Sequence, residues 1–215
     1  MNQFTPSKPS RLLALITAVF LVATSGCSEP NVPTTESIQT PVAVDGETLL
    51  LQAPPAWLRG RESIREKFRI VEFLPAGNDQ ESWYEKITVE SNSISPLPDP
   101  IEFANQLGED LKEQCKTSEH QNITTALENG YQTSVRLLVC QERKETGRNS
   151  VSLVKAILGT QYFYTITYTK RSEPLATERS PISNDEIAKW SLYMRSIKLC
   201  DSRAPEHPCP ASAVN

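Results

Sequence analysis

In the run Ile123-Thr124-Thr125-Ala126-Leu127-Glu128-Asn129-Gly130-Tyr131-Gln132-Thr133-Ser134-Val135-Arg136-Leu137-Leu138-Val139-Cys140-Gln141, two extended segments flank a two-residue turn. Asn129-Gly130 suits that turn because both residues tolerate positive φ. The segments around it are rich in β-branched and apolar residues, so the run predicts a β-hairpin. A polar loop, Arg143 to Asn149, leads into the apolar run Val151 to Leu158. Gly159-Thr160 then turns the chain into Gln161 to Thr169, where Tyr162, Tyr164, Ile166 and Tyr168 share one face and Phe163 and three threonines the other. These segments predict a four-stranded antiparallel meander.

Upstream, Asp99 suits a helix N-cap, Pro100 the first helical position and Glu102 the third residue after the cap. Ile101, Ala104, Leu107, Leu111 and Cys115 follow at helical spacing. Thr48 to Gln52, Phe68 to Leu74 and Trp83 to Glu90 read as strands, the second covered on both faces. Arg59 to Arg69 and Glu142 to Arg148 alternate in sign and read as solvated surface. Downstream, Ser183 and Glu186 form a capping-box pattern ahead of the stripe Ile187, Trp190, Met194 and Ile197. The expected order is β-β-α-β-β-β-β-α: an α+β fold, with an antiparallel sheet of about six strands packed by two helices.

The chain has 22 Lys and Arg against 26 Asp and Glu, a formal net charge of −4. No Lys/Arg cluster is dense enough to track phosphates, so nucleic acid is not an expected partner. The two histidines, His120 and His207, are far apart and read as surface residues in a helix-to-strand loop and in the tail. With no C-x-x-C and no clustered ligands, neither metal nor cofactor is expected. No Gly-x-Ser-x-Gly elbow or phosphate loop occurs. Glu81, Glu85 and Glu90 are the carboxylates available for acid–base work, with exposed strand charge the simpler reading.

Binding candidates come from broken patterns. Arg136 and Lys155 each interrupt an apolar strand, and such a cation either snorkels at an edge or faces a ligand or acidic partner. Tyr164 and its neighbouring tyrosines add an amphipathic surface, unless that face packs under a helix. Trp57, in Pro54-Pro55-Ala56-Trp57-Leu58, either covers a sheet edge or docks on a partner.

The N-terminus carries Lys8 and Arg11, then the apolar run Leu12 to Ala23. That run spans about 18 Å as a helix, short of the roughly 30 Å hydrocarbon core, so it reads as a signal-peptide core. The next residues, Thr24-Ser25-Gly26-Cys27, complete a run that resembles the lipobox of bacterial lipoproteins. The resemblance implies cleavage after residue 26, acylation of Cys27 and, through Ser28, a place at the outer membrane facing the periplasm. An ordinary signal peptide and a short uncleaved anchor are the rival readings. Residues 28–46 hold Pro30, Pro33 and Pro41 among polar residues and read with Cys27 as a flexible tether, reaching roughly 25 Å. Residues 47–215 are then one globular domain. The remaining cysteines, Cys115, Cys140, Cys200 and Cys209, suit a disulfide-permissive compartment and allow three pairings. Cys115–Cys140 with Cys200–Cys209 is favoured, because the second closes a short proline-containing loop that staples the tail.

Trp83-Tyr84-Glu85-Lys86-Ile87-Thr88-Val89, Asn129-Gly130-Tyr131, Lys155-Ala156-Ile157-Leu158-Gly159, Ser196-Ile197-Lys198-Leu199-Cys200-Asp201 and Cys209-Pro210 resemble a group of small proteobacterial lipoproteins of unknown function. The element order resembles the PsbP-like α/β/α sandwich. Neither resemblance supplies a catalytic residue. Together these readings lead to a membrane-anchored, non-enzymatic binding or accessory module for another envelope component. A periplasmic hydrolase and a small-ligand carrier are the alternatives.

Overall fold

The computed structural model of the chain describes residues 38–39, 46–174 and 182–210, all within one compact unit. The leader and Cys27 lie outside the described residues, as does most of the expected tether. Within the tether span, Ile38–Gln39 forms a short strand, β1. Then follow β2 (Glu47–Leu51), β3 (Trp57–Arg65), β4 (Phe68–Pro75), β5 (Glu85–Asn92), α1 (Pro100–Gln114), β6 (Cys115–Glu128), β7 (Tyr131–Arg143), β8 (Arg148–Leu158), β9 (Phe163–Pro174), α2 (Asn184–Ser196) and β10 (Lys198–Asp201).

The fold is α+β. A seven-stranded sheet runs in the order β3-β4-β5-β9-β8-β7-β6, with every neighbouring pair antiparallel. A second sheet has the order β1-β2-β10. The helices lie on opposite faces of the large sheet. Leu107 and Leu111 of α1 pack on Leu138, Cys140 and Val154, and Phe103 meets Phe163 edge-on at 5.0 Å. Trp190 and Met194 of α2 share the larger core with Val135, Leu153, Ile166 and Tyr168, joined by Leu49, Leu51 and Leu199 of the small sheet. The alternation of β9 is as its tyrosines and threonines predict: Tyr164, Ile166 and Tyr168 face α2, and Phe163 faces α1.

Both helices start as their sequences dictate. The Asp99 carboxylate accepts from the Ile101 and Glu102 amides, and Ser183 with Glu186 makes a complete capping box. Their ends differ from expectation. Helix α1 stops at Gln114, and Cys115 is already extended, opening β6 with no intervening loop. The disulfide Cys115–Cys140 therefore joins two neighbouring strands just past the helix. His120 consequently lies within β6. That strand is an edge, so its side chains alternate between water and half-cover, and their polarity disguised its length. The Cys200–Cys209 disulfide closes the tail.

The sheet also has more strands than expected. The charged stretch 59–69 forms most of β3 and the start of β4, joined by backbone pairing while its side chains stay largely in water. Lys198–Asp201 leaves α2 at Ile197 and pairs with β2.

Each cysteine of the Cys115–Cys140 pair closes the same loop. Cys115→Ala and Cys140→Ala should therefore lower stability equally, by about 2–4 kcal/mol each. Calorimetry of both variants checks this, and unequal losses would argue against a purely loop-closing role.

Candidate functional site

The structure does not bring Arg136, Lys155 and Tyr164 together at a surface. Lys155 is fully buried. Its Nζ donates to Glu128 Oε2 at 2.7 Å, to the Met194 carbonyl at 3.0 Å and to the Ile197 carbonyl at 2.7 Å. Lys198 reaches the same Glu128 oxygen at 2.7 Å. Burial pushes the Lys155 ammonium below its ordinary value, only partly offset by Glu128. Burial also opposes charge on Glu128, but hydrogen bonds from Lys155 and Lys198 outweigh it and hold the carboxyl below its ordinary value. Of the alternatives for Lys155, an edge position is corrected, because β8 is an interior strand with α2 ending over it; the acidic group it faces is Glu128 of the same chain.

Tyr164 is also core. Its hydroxyl donates to Glu47 Oε2 at 3.1 Å, and burial together with the Glu47 charge pushes the phenol up. It offers no binding surface, because the tyrosine face is covered by α2 and β2. Arg136 lies on the other face, 6% exposed. One guanidinium nitrogen donates to His120 Nδ1 at 2.8 Å and the other to Asn105 Oδ1. A guanidinium can only donate, so this contact places the imidazole proton on Nε2. Gly108 permits the contact: a Cβ there would fall 2.7 Å from the His120 ring.

The carboxylates do not converge either. Glu81 is exposed in the loop before β5. Glu85 and Glu90 differ in parity along β5 and point to opposite faces. Glu90 accepts from Thr165 at 3.1 Å, while Glu85 meets Lys170 at 3.4 Å on the α2 side.

A cleft does form where Glu85 lies. It has a volume of about 590 Å³ between the Gln52–Trp57 connection and the outer side of α2, with Trp57, Trp190, Tyr193, Glu85, Glu186 and Lys189 among its walls. The aromatic rings meet nearly at right angles: Trp57 and Trp190 at 5.5 Å and 65°, Trp190 and Tyr193 at 5.3 Å and 85°. Tyr168 stacks under Trp190 at 3.8 Å. Its buried hydroxyl has no well-formed hydrogen bond, and burial with the Glu85 and Glu186 charges pushes the phenol up.

Local geometry sets this wall. Ala56 adopts φ 65°, a left-handed conformation that costs an alanine about 1–2 kcal/mol. The turn closes through Trp57 N to Pro54 O at 3.0 Å and Ala76 N to Ala56 O at 2.8 Å, directing Trp57 toward α2. Tyr193 donates to the Gln52 carbonyl at 2.9 Å from the opposite wall. On the rim, Lys170 bridges Glu186 at 2.6 Å and Glu85 at 3.4 Å. The hydrogen bonds from Lys170 and Ser183 hold the Glu186 carboxyl down to about 2. Such a cleft can seat a small apolar group against its aromatic wall while its polar rim fixes orientation. Trp190 and Tyr193 were legible only as helix positions; Pro54-Pro55 before Trp57 was the one local cue to a shaped wall.

Among the described residues no cluster of His, Cys, Asp and Glu could hold a metal ion, and no helix is long and apolar enough to cross a membrane. No protein family matches the chain, and no curated protein matches it in sequence. Solved structures match parts of its chain path. The Ran-binding protein Mog1p of Saccharomyces cerevisiae gives a TM-score of 0.41 at 17% identity, over 69% of this chain and 78% of that one. LpqN, involved in cell envelope biogenesis of Mycobacterium tuberculosis, gives 0.38 at 14%, over 71% and 80%. Cyanobacterial PsbP (CyanoP) from Synechocystis sp. PCC 6803 gives 0.38 at 11%, over 73% and 91%. Likenesses this remote assign neither ligand nor partner.

Two measurements check the electrostatics. Lys155→Met should lower the free energy of unfolding by about 3 kcal/mol in urea, since it strips Glu128 and the end of α2 of a buried partner; unchanged stability would contradict the pairing. Glu186 has a lowered native pKa. Its contribution is therefore present above the ordinary carboxylate range and lost as pH falls toward 2. Carboxyl-carbon NMR should place its midpoint near 2, and a midpoint above 4 would refute the cap and bridge together.

Proposed function

We propose that this chain is an envelope lipoprotein, held at the outer membrane on its periplasmic side through an acylated Cys27, and that it acts as a non-enzymatic binding or accessory module for another envelope component. The cleft beside α2 carries the binding half of this reading. Trp57 and Tyr193 stand half-buried on its walls beside the buried Trp190, and the left-handed turn at Ala56 sets the Trp57 wall.

The location is supported by the cysteines. Of the five in the chain, four are joined in two disulfides, which persist in oxidising compartments. That leaves Cys27, directly after the apolar leader, as the thiol available for lipid. Stable anchoring takes two acyl chains, which a lipoprotein cysteine carries. A small-ligand carrier is the second reading, favoured by the cleft volume of about 590 Å³, within the usual range for small-molecule sites.

The two halves are tested separately. Radiolabelled palmitate should mark the wild-type chain and not Cys27→Ser, which should appear in the soluble periplasmic fraction; a variant that still labels refutes the anchor. Trp57→Ala removes one cleft wall while leaving Trp190 in the core. A stoichiometric partner recovered with the wild type from detergent-solubilised envelope should then be lost. Equal recovery with Trp57→Ala would place binding elsewhere.

A further inference from the structure

Strand β3 is the edge of the seven-stranded sheet, and most of it and the turn that joins it to β4 are exposed. Leu58 is 60% exposed and Ile64 69%. Arg59, Arg61, Arg65 and Lys67 surround them, against Glu62 and Glu66. Glu62 is already held by Arg59 at 2.6 Å and by Arg69. Arg61, Arg65 and Lys67 have no ion pair within the described residues. This local positive excess stands on a chain whose formal net charge is −4.

We infer that this hairpin is a contact surface for an anionic lipid bilayer. The charge is complementary, and guanidinium groups pair with phosphate oxygens through two parallel hydrogen bonds. The aliphatic side chains suit the boundary between headgroups and acyl chains. The distribution over the two faces selects a membrane over a rigid acidic partner. Arg59 and Ile64, opposite Phe73 and Arg69, lie on one face; Leu58 and Arg65, opposite Leu74 and Phe68, lie on the other. A rigid surface would meet one face and leave the second uncovered. A fluid headgroup layer surrounds a hairpin edge and serves both.

The inference stands apart from acylation, and its test removes the acyl group. The full chain carrying Cys27→Ser is sedimented with vesicles of phosphatidylethanolamine and phosphatidylglycerol, and with vesicles of phosphatidylcholine alone. Binding should be confined to the anionic vesicles and should weaken as salt is raised. Adding Arg61→Glu and Lys67→Glu should lower that binding by about tenfold or more. Both side chains are exposed, so the melting temperature should not change. Binding to neither vesicle, equal binding to both, or full binding by the charge-reversed variant would each overturn the inference. Saturable binding to polyglutamate without binding to vesicles would overturn it in favour of an acidic protein partner.

Discussion

The Lys155 ammonium joins three parts of the molecule at one point inside the core. It rises from an interior strand, meets the Glu128 carboxylate at the end of β6 and takes the Met194 and Ile197 carbonyls at the close of α2. Those carbonyls have no partner within the helix, and the negative end of the helix dipole favours a cation there. A buried charge is costly when alone and tolerated when every proton has an acceptor. Here all three do. The end of α2, the β6–β7 hairpin and β8 are thus fixed relative to one another by a group that a purely apolar core would not contain.

Glu47 performs the matching task from the small sheet. It is buried, accepts from the Thr160 and Gln161 amides and from the Tyr164 hydroxyl, and so seats β2 against the β8–β9 turn. Gly159 makes room for it, since a Cβ there would lie 2.7 Å from the Glu47 carboxylate. The Asn129-Gly130 turn is tied down as well: the Asn129 amide donates to the Leu199 and Pro208 carbonyls, and His207 stacks on Tyr131 at 4.0 Å. His207 is therefore a packing residue of the tail.

Much of the fold was written in local chemistry. The Asn-Gly turn, the Asp99 and Ser183 caps and the alternation of β9 each depend on neighbours a few residues away, and each appears as its residues dictate. What escaped depends on distant partners. Strand β3 has no continuous apolar face to announce it: past Trp57 its side chains are mostly exposed, and backbone pairing with β4 sets its length. Strand β10 is four residues long and exists through pairing with β2, far away in sequence. The partner of Lys155 stayed open because nothing near it in sequence reveals that Glu128 and the end of α2 converge on it. The cleft was hidden for the same reason. Trp57 and Trp190 are separated by most of the domain, and the left-handed turn at Ala56 that unites them carries no glycine.

The small sheet has a mechanical consequence. Strand β2 is the central strand, with β1 on one side and β10 on the other. A pull arriving through the N-terminal segment loads β1 first, then β2, and then β10, whose Cys200 is cross-linked to Cys209. Tension from that end is thus shared through β10 with the cross-linked C-terminal tail, and through Glu47 with the β8–β9 turn of the broad sheet.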